Sequence, residues 1–578
     1  MMLSSFSSWK FLTIRKLLYL PRILTGAEKR FFFLAALVVA VSGGIFFARI
    51  YGRITIPLPD VGNSYTEGMI GEPQMINPLY AVRDTDRDMA RLTFAGLLRY
   101  RSDGSVETDL AERYEISSDG KMYTFTLRPS LEWHDGKPLT ADDVLFTVYA
   151  IQNALYRSPL RINWQGVTAE KLNDKTIRFT LRAPYAPFIE NLTLGILPMH
   201  VWESVSAEQT PLHEANLKPI GSGPYRFYSL KQNKDGSIPR YSLTRNTRYH
   251  GQGPFIKKLT FVFYKTEADL FAAWRRGAIE GFGGISQDRM KEINRDNMRL
   301  LSLATPRMFG LFFNQRQSSL LKEFAVREAI ARGIDKTRLT ALTSPESSAI
   351  DNAPVSMLGA TTAAFPLYPY DPEGARRLLA EHGWYDEDND GIREKKIRGI
   401  GDVNIIPLRF ILTTSDWPDL VHAADILKGM FAEIGIDTII EKKTFPELEA
   451  NVIRPRNFEM LLFGHVYGYE PDPFAFWHSS QIKDPGLNIA SFGSKEADNL
   501  LEDARKTVDT TSRSMLYRQF SDIILKELPA VFLFTQRYFV LLPSDIQGVQ
   551  PMKISLPSDR FNEINLWFRD TKRVLKWR

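Results

Sequence analysis

Residues 468–481 read GYEPDPFAFWHSSQ. Asp472, His478, Ser479 and Ser480 are the residue types of an orienting acid, a base and a nucleophile, the set used for acyl transfer. That chemistry needs side chains that converge, with an acid behind the base. His478 and Ser479 are neighbours in sequence, and neighbours in extended chain point to opposite sides. The spacing therefore argues against a triad. What remains is two prolines, two carboxylates and four aromatics in fourteen residues, a composition suited to a wall that holds a ligand without changing it.

Other residue patterns narrow the chemistry further. Asp386, Asp388, Asp390 and Gly391 match the opening of a calcium loop, with Glu394 at the ninth position. The twelfth position should carry a bidentate glutamate and carries Ile397 instead, so a solvated acidic turn is expected, with the three aspartates a weak metal candidate. The eight histidines (134, 200, 213, 250, 382, 422, 465 and 478) form no i, i+4 pair for zinc. GxSxG, HExxH and Walker patterns are absent. The chain has no cysteine, which removes thiol catalysis, disulfides and iron–sulfur ligation. No enzyme and no cofactor are expected; an anchored hydrolase would lack any motif.

The elements that position these residues follow from periodicity. Tyr114 to Leu127 reads as a hairpin turning at Asp119-Gly120, and Lys171 to Leu181 as a second. Thr140 with Asp143 forms a capping-box pattern ahead of the stripe Val144, Val148, Ile151 and Leu155. Pro219 to Tyr225 (PIGSGPY) is a rigid turn with glycines where the backbone must bend, and lacks the lysine and third glycine of a phosphate loop. From about residue 306 the pattern becomes α/β. The strand at Pro407–Thr413, the helix Leu420–Ile434 stopped by Gly435, and the strand at Ile436–Ile440 make a βαβ unit. Ser494 opens a helix, Met515 to Leu528 forms another, and Val531 to Thr535 is a buried strand.

The net charge of +6 is concentrated in residues 1–30, where Lys10, Arg15, Lys16, Arg22, Lys29 and Arg30 face the single acid Glu28. The rest is nearly neutral, against the basic body a nucleic-acid binder needs. Phe31 to Ala48 is eighteen residues without a charge, near the lower limit for spanning a bilayer. The basic side precedes it, so residues 1–30 read as a cytoplasmic tail, 31–50 as a single-pass anchor, and the main body as extracytoplasmic at the cell membrane. A cleaved signal is the alternative, without a good small-x-small site. Residues 51–63, rich in Pro, Gly and Asn at their end, read as a linker.

Six segments in order carry a resemblance: Glu132–Val144 (EWHDGKPLTADDV), Pro219–Tyr225, Val326–Asp335 (VREAIARGID), Tyr370–Leu379 (YDPEGARRLL), Asp390–Glu394 (DGIRE) and Pro471–Ser480 (PDPFAFWHSS). Together they make the chain from about 64 to 570 resemble the family 5 extracellular solute-binding proteins of ABC importers, which include oligopeptide- and dipeptide-binding proteins. The resemblance implies an α/β, two-lobed periplasmic-binding-protein-like fold with an extra small domain near 95–210, here preceded by one transmembrane helix. The first lobe would comprise 64–305 plus 526–578, the second 306–525. It implies a monomeric receptor that closes on a peptide or peptide-like ligand and delivers it to an ABC permease. In the peptide-binding members an aspartate captures the ligand's amino terminus; aligning on Pro471, Asp472 and Phe474 puts Tyr467 at that position, with Glu470 the nearest acid. Either Glu470 substitutes, or the ligand is a non-peptide solute such as an oligosaccharide stacked on Tyr467, Tyr469 and Trp477. Asn77 and Trp417 are further ligand candidates at strand ends. Asp472, between two prolines, reads as a structural turn residue. A ligand-sensing receptor or adaptor that does not transport is the competing reading, motivated by the tail.

Overall fold

The computed structural model describes residues 25–293, 296–343, 348–350, 367–398, 403–469, 472–550 and 552–576. The chain divides into two compact units, a small one built from residues up to Asp60 together with those from Asp570, and a body, Val61–Arg569.

In the small unit a helix of 29 residues, α1 (Gly26–Ile54), has no buried residue and is long and apolar enough to cross a membrane. Glu28 caps its start by accepting from the backbone N and Oγ1 of Thr25 at 2.9 and 2.7 Å. The helix runs directly into strand β1 (Thr55–Asp60), which pairs antiparallel with Asp570–Leu575, β16 in chain order. The expected linker 51–63 is thus a helix end, a paired strand and the first residues of the next strand. The prolines that argued for a linker are compatible with pairing. Ile54 accepts from Lys576 N at 2.8 Å, so with a period of two the nitrogens of Pro57 and Pro59 face away from the partner strand.

The body begins with β2 (Gly62–Ile70) and α2 (Asp84–Thr93), followed by β3 (Ala111–Ile116), β4 (Met122–Leu127), α3 (Ala141–Gln152), β5 (Val167–Asn173) and β6 (Thr176–Leu181). The four strands form a separate antiparallel sheet in the order β3–β4–β6–β5, the heart of the extra small domain. Gly120 turns the first hairpin at φ +68°, and Asp143 accepts from Thr140 N at 2.9 Å to close the capping box of α3. Next come β7 (Tyr225–Lys231), β8 (Arg240–Arg245), β9 (Ile256–Tyr264), β10 (Gly281–Gly283) and the 16-residue β11 (Met298–Phe313). The second half supplies β12 (Arg409–Ser415), α4 (Pro418–Glu433), β13 (Asp437–Lys443), β14 (Met460–Val466), α5 (Lys495–Lys506), α6 (Thr510–Glu527) and the 14-residue β15 (Ala530–Pro543). β12, α4 and β13 are the expected βαβ unit, with β12 and β13 parallel.

One sheet runs through the body in the order β13–β12–β14–β11–β15–β10–β2–β9–β8–β7. Its two central strands, β11 and β15, belong to both lobes. Leu301, Leu303, Val540 and Leu542 pack in the first-lobe core; Phe309, Leu311, Val531 and Leu533 pack in the second. The return to the first lobe, expected at 526, therefore falls inside β15. At the crossing the register passes from Ala304↔Arg537 to Met308↔Thr535, so that Thr305, Pro306 and Arg307 face Gln536 alone. This bulge bends the pair where the cores change.

The glycines of PIGSGPY have a different role from the expected bend. Neither Gly221 nor Gly223 has positive φ; a Cβ on them would lie 1.9 Å from Thr93 O and 2.6 Å from Thr93 C. They admit the backbone at the end of α2. The first lobe is further pinned by Arg560, buried between Glu67 (2.7 and 3.1 Å) and Asp88 (2.5 and 3.0 Å).

Candidate functional site

The segment that follows β14 enters the aromatic core of the second lobe before it reaches the first. Tyr467 and Trp477 are 1% and 0% exposed, and the indole Nε1 of Trp477 donates to Tyr467 Oη at 3.1 Å. Burial pushes the Tyr467 phenol well up, so it stays neutral and supplies no charge to hold an ammonium group. Both residues are enclosed rather than presented to a cavity.

Gly468 and Tyr469 then meet the first lobe. A Cβ on Gly468 would lie 2.8 Å from Glu190 Oε2. The Tyr469 ring lies 4.2 Å from that of Tyr100, and its hydroxyl donates to Lys553 O at 3.1 Å. Beside it Arg91, on α2, pairs with Asp559 at 3.0 Å. Glu470 lies outside the described residues.

The remaining polar residues of the opening run hold structure. Arg505 grips Asp472 through Nε and Nη2 at 2.5–3.1 Å, and its guanidinium lies 3.7 Å from the Phe474 ring centroid. Tyr185 Oη of the small domain donates to Asp472 at 3.5 Å, and Ala186 N donates to Arg505 O at 2.9 Å. This ties the small domain to the second lobe. Ser479 donates from N and Oγ to Asp498 at 2.9 and 2.5 Å. His478 takes its Nδ1 contacts from Ser480 N (3.1 Å) and Oγ (2.8 Å). Serine 479 is thus bonded to a carboxylate and not to the imidazole, which breaks the order a nucleophile–base–acid relay needs.

Asn77 is wholly buried, accepts from Leu79 N at 3.0 Å and donates to Asn216 Oδ1 at 3.2 Å; it fastens the turn that leads to α2. Trp417 precedes α4 at the end of β12. It packs on Phe309 at 5.7 Å, with the Arg307 guanidinium 5.9 Å from its ring centroid. Arg307 belongs to the crossing bulge, where burial pushes its guanidinium down while Asp84 of the first lobe acts against that.

A cavity of about 420 Å³ opens next to the Gly468 contact. Its walls are first-lobe residues, the apolar ones including Leu79, Phe94 and Trp164, the polar ones Arg87, Arg91, Arg99, Asp109 and Glu190. Asp109 is held by His250 at 2.7 Å and Arg99 by Glu107 at 2.7 Å. None of Asn77, Trp417, Tyr467, Tyr469 or Trp477 lines it. The legible signal was Arg87 and Arg91, four apart on one face of α2; the other walls come from segments far apart in sequence. Apolar walls with paired guanidinium and carboxylate groups suit a polar organic solute of peptide size.

The acidic loop does gather Asp386, Asp388, Asp390 and Glu394, with ligand atoms within 4.8 Å of one another. Each already accepts a backbone N–H at 2.8–3.3 Å, which accounts for the acidic residues as turn formers.

Comparison with known proteins agrees with this architecture. Residues 105–485 match the model of bacterial extracellular solute-binding proteins, family 5. The oligopeptide-binding protein AppA of Bacillus subtilis is 26% identical over 85% of this chain and 89% of its own length. A structure of AppA from that organism in complex with a nonapeptide covers 88% of this chain and 99% of its own, at 25% identity and TM-score 0.68. NikZ of Campylobacter jejuni in complex with Ni(L-His) covers 87% and 99%, at 26% identity and TM-score 0.69. The chain belongs to the family 5 solute-binding proteins, receptors of ABC importers that bind peptides and other solutes and carry out no catalysis.

Proposed function

We propose that the chain is a membrane-anchored, extracytoplasmic receptor that captures a peptide or peptide-like solute between its lobes as a monomer and delivers it to an ABC permease. The observation that carries this reading is the first-lobe cavity of about 420 Å³, which opens beside the point where Gly468 of the second lobe approaches Glu190. Its paired charges match the termini and amides of a short peptide, and AppA was solved with a nonapeptide. α1 serves as the anchor in this reading, because its apolar length is uncovered. In this reading Trp417, at the end of β12, and Tyr469, whose ring meets Tyr100 of the first lobe, remain ligand candidates, and Glu190, which lines the cavity, takes the ligand amine in place of the expected Glu470. A non-peptide solute is the second reading, favoured by the neutral, buried Tyr467 at the expected aspartate position. Mass spectrometry of ligand co-purifying with the body, followed by thermal shift with the identified compound, tests both. A peptide that raises the melting temperature supports the first; an oligosaccharide or metal complex supports the second; no stabilisation by peptide or sugar libraries would overturn capture altogether.

A further inference from the structure

The small unit carries a separation of charge along the β1–β16 ribbon. Asp60 and Asp570 face each other at one end, and Lys572 is tied there to Asp60 at 2.9 Å. At the opposite end Leu575 is paired with Thr55 and Arg573 with Pro57, while Lys576 N donates to Ile54 O at 2.8 Å. Backbone pairing therefore sets Lys576 at the end of α1, and the Arg573 side chain reaches back to the same level, donating to Thr55 Oγ1 at 3.1 Å. That turn carries Arg53, and Arg49 lies four residues earlier on the same helix face. All four cations are exposed, and among the described residues none is paired with a carboxylate. No acidic residue occurs between Phe31 and Pro59.

The position of this cluster defines its partner. The eighteen uncharged residues Phe31–Ala48 rise about 27 Å as a helix, close to the roughly 30 Å of a bilayer's hydrocarbon core. Arg49 follows immediately, at the depth of the lipid head groups. Tyr51 lies among the cations, with the Arg573 guanidinium 5.9 Å from its ring centroid, and tyrosine favours this interface. Guanidinium groups bind phosphate oxygens through paired N–H donors. We infer that Arg49, Arg53, Arg573 and Lys576 form a collar that binds the phosphate groups of anionic phospholipids around the outer end of α1. The inference rests on the reading of α1 as a membrane anchor.

The cysteine-free chain allows a direct test. The full-length Leu575→Cys variant, labelled with an environment-sensitive fluorophore, is reconstituted into vesicles of phosphatidylcholine alone or with phosphatidylglycerol, and a quencher attached to the lipid head group is added. Flotation and alkaline extraction establish whether the protein is integral. The expected result is an integral protein with stronger quenching in anionic vesicles, abolished by high salt. Replacing Arg573 and Lys576 together by Gln should weaken head-group contact, with the equilibrium falling roughly fivefold per cation. An integral protein whose quenching is the same in both lipids, or unchanged in the double variant, overturns the collar and leaves the anchor standing. A protein that fails to float or is stripped by alkali overturns the anchor and the collar together.

Discussion

His465, on β14, is 5% exposed, and among the described residues neither ring nitrogen has a hydrogen-bond partner. Its ring lies 4.3 Å from Phe476, 4.8 Å from Phe312, 6.2 Å from Tyr467 and 6.3 Å from Trp477. Burial pushes the imidazole down to about 3, against an ordinary 6.5 in the unfolded chain. Below pH 6.5 the unfolded state takes a proton that the folded state refuses, so stability is full above that value and falls as the pH drops toward 3. Between pH 7 and pH 5 this one group costs about 2 kcal/mol of folding stability. Replacing His465 by Phe keeps an aromatic ring and removes the titration. Urea unfolding of both proteins at pH 7 and pH 5 is the assay. The loss between the two pH values should be about 2 kcal/mol smaller in the variant. Any packing change from the larger ring acts at both pH values and cancels in this difference. His134, pushed down to about 4 by burial, adds a slope of the same sign that both proteins share. Equal pH dependence in the two proteins would refute the reasoning, because it would mean that the folded core accommodates the imidazolium.

Two further outcomes follow from buried charges. Replacing Arg560 by Met leaves Glu67 and Asp88 buried without their cation, and denaturant unfolding at neutral pH should show a loss of about 3–5 kcal/mol; a loss below 1 kcal/mol, on the order of a surface pair, would show that water reaches the site. Replacing Arg505 by Met removes the hydrogen bonds that hold Asp472 against Tyr185, and a loss of about 1–3 kcal/mol is expected, with weaker binding of the co-purifying ligand by titration calorimetry. Unchanged affinity would separate this contact from capture.

Much of the fold was legible where one element serves one core. The capping box of Thr140 and Asp143, the hairpin at Gly120 and the β12–α4–β13 unit each obey a single period. β15 is legible in the sequence only in part, as Val531–Thr535, because β11 and β15 each serve two cores and their alternation is interrupted at the crossing. The prolines of residues 51–63 suggest a linker by sequence, whereas a two-stranded ribbon accepts Pro57 and Pro59 because it leaves every second nitrogen facing outward. At the site, the charge-free identity of Tyr467 was readable, but its enclosure by Trp477, ten residues later, was a tertiary fact. The cavity was not readable, since Leu79, Arg91, Trp164 and Glu190 become neighbours only through the packing of the small domain on the first lobe.

In the proposed capture of a solute between closing lobes, the bulge at Thr305–Arg307 also bears on how fast the receptor works. Ladder pairing between β11 and β15 is already interrupted there, so one lobe can turn against the other with the paired stretches on both sides intact. No rung of the sheet has to break and re-form during the movement. The barrier to opening then contains contacts between the small domain and the second lobe, such as Tyr185 with Asp472 and Ala186 with Arg505, and the drag of solvent. Opening and closing belong on the microsecond-to-millisecond scale of collective domain motions, so the residence time of a bound solute is governed by contacts at the rim and not by the spine that joins the lobes.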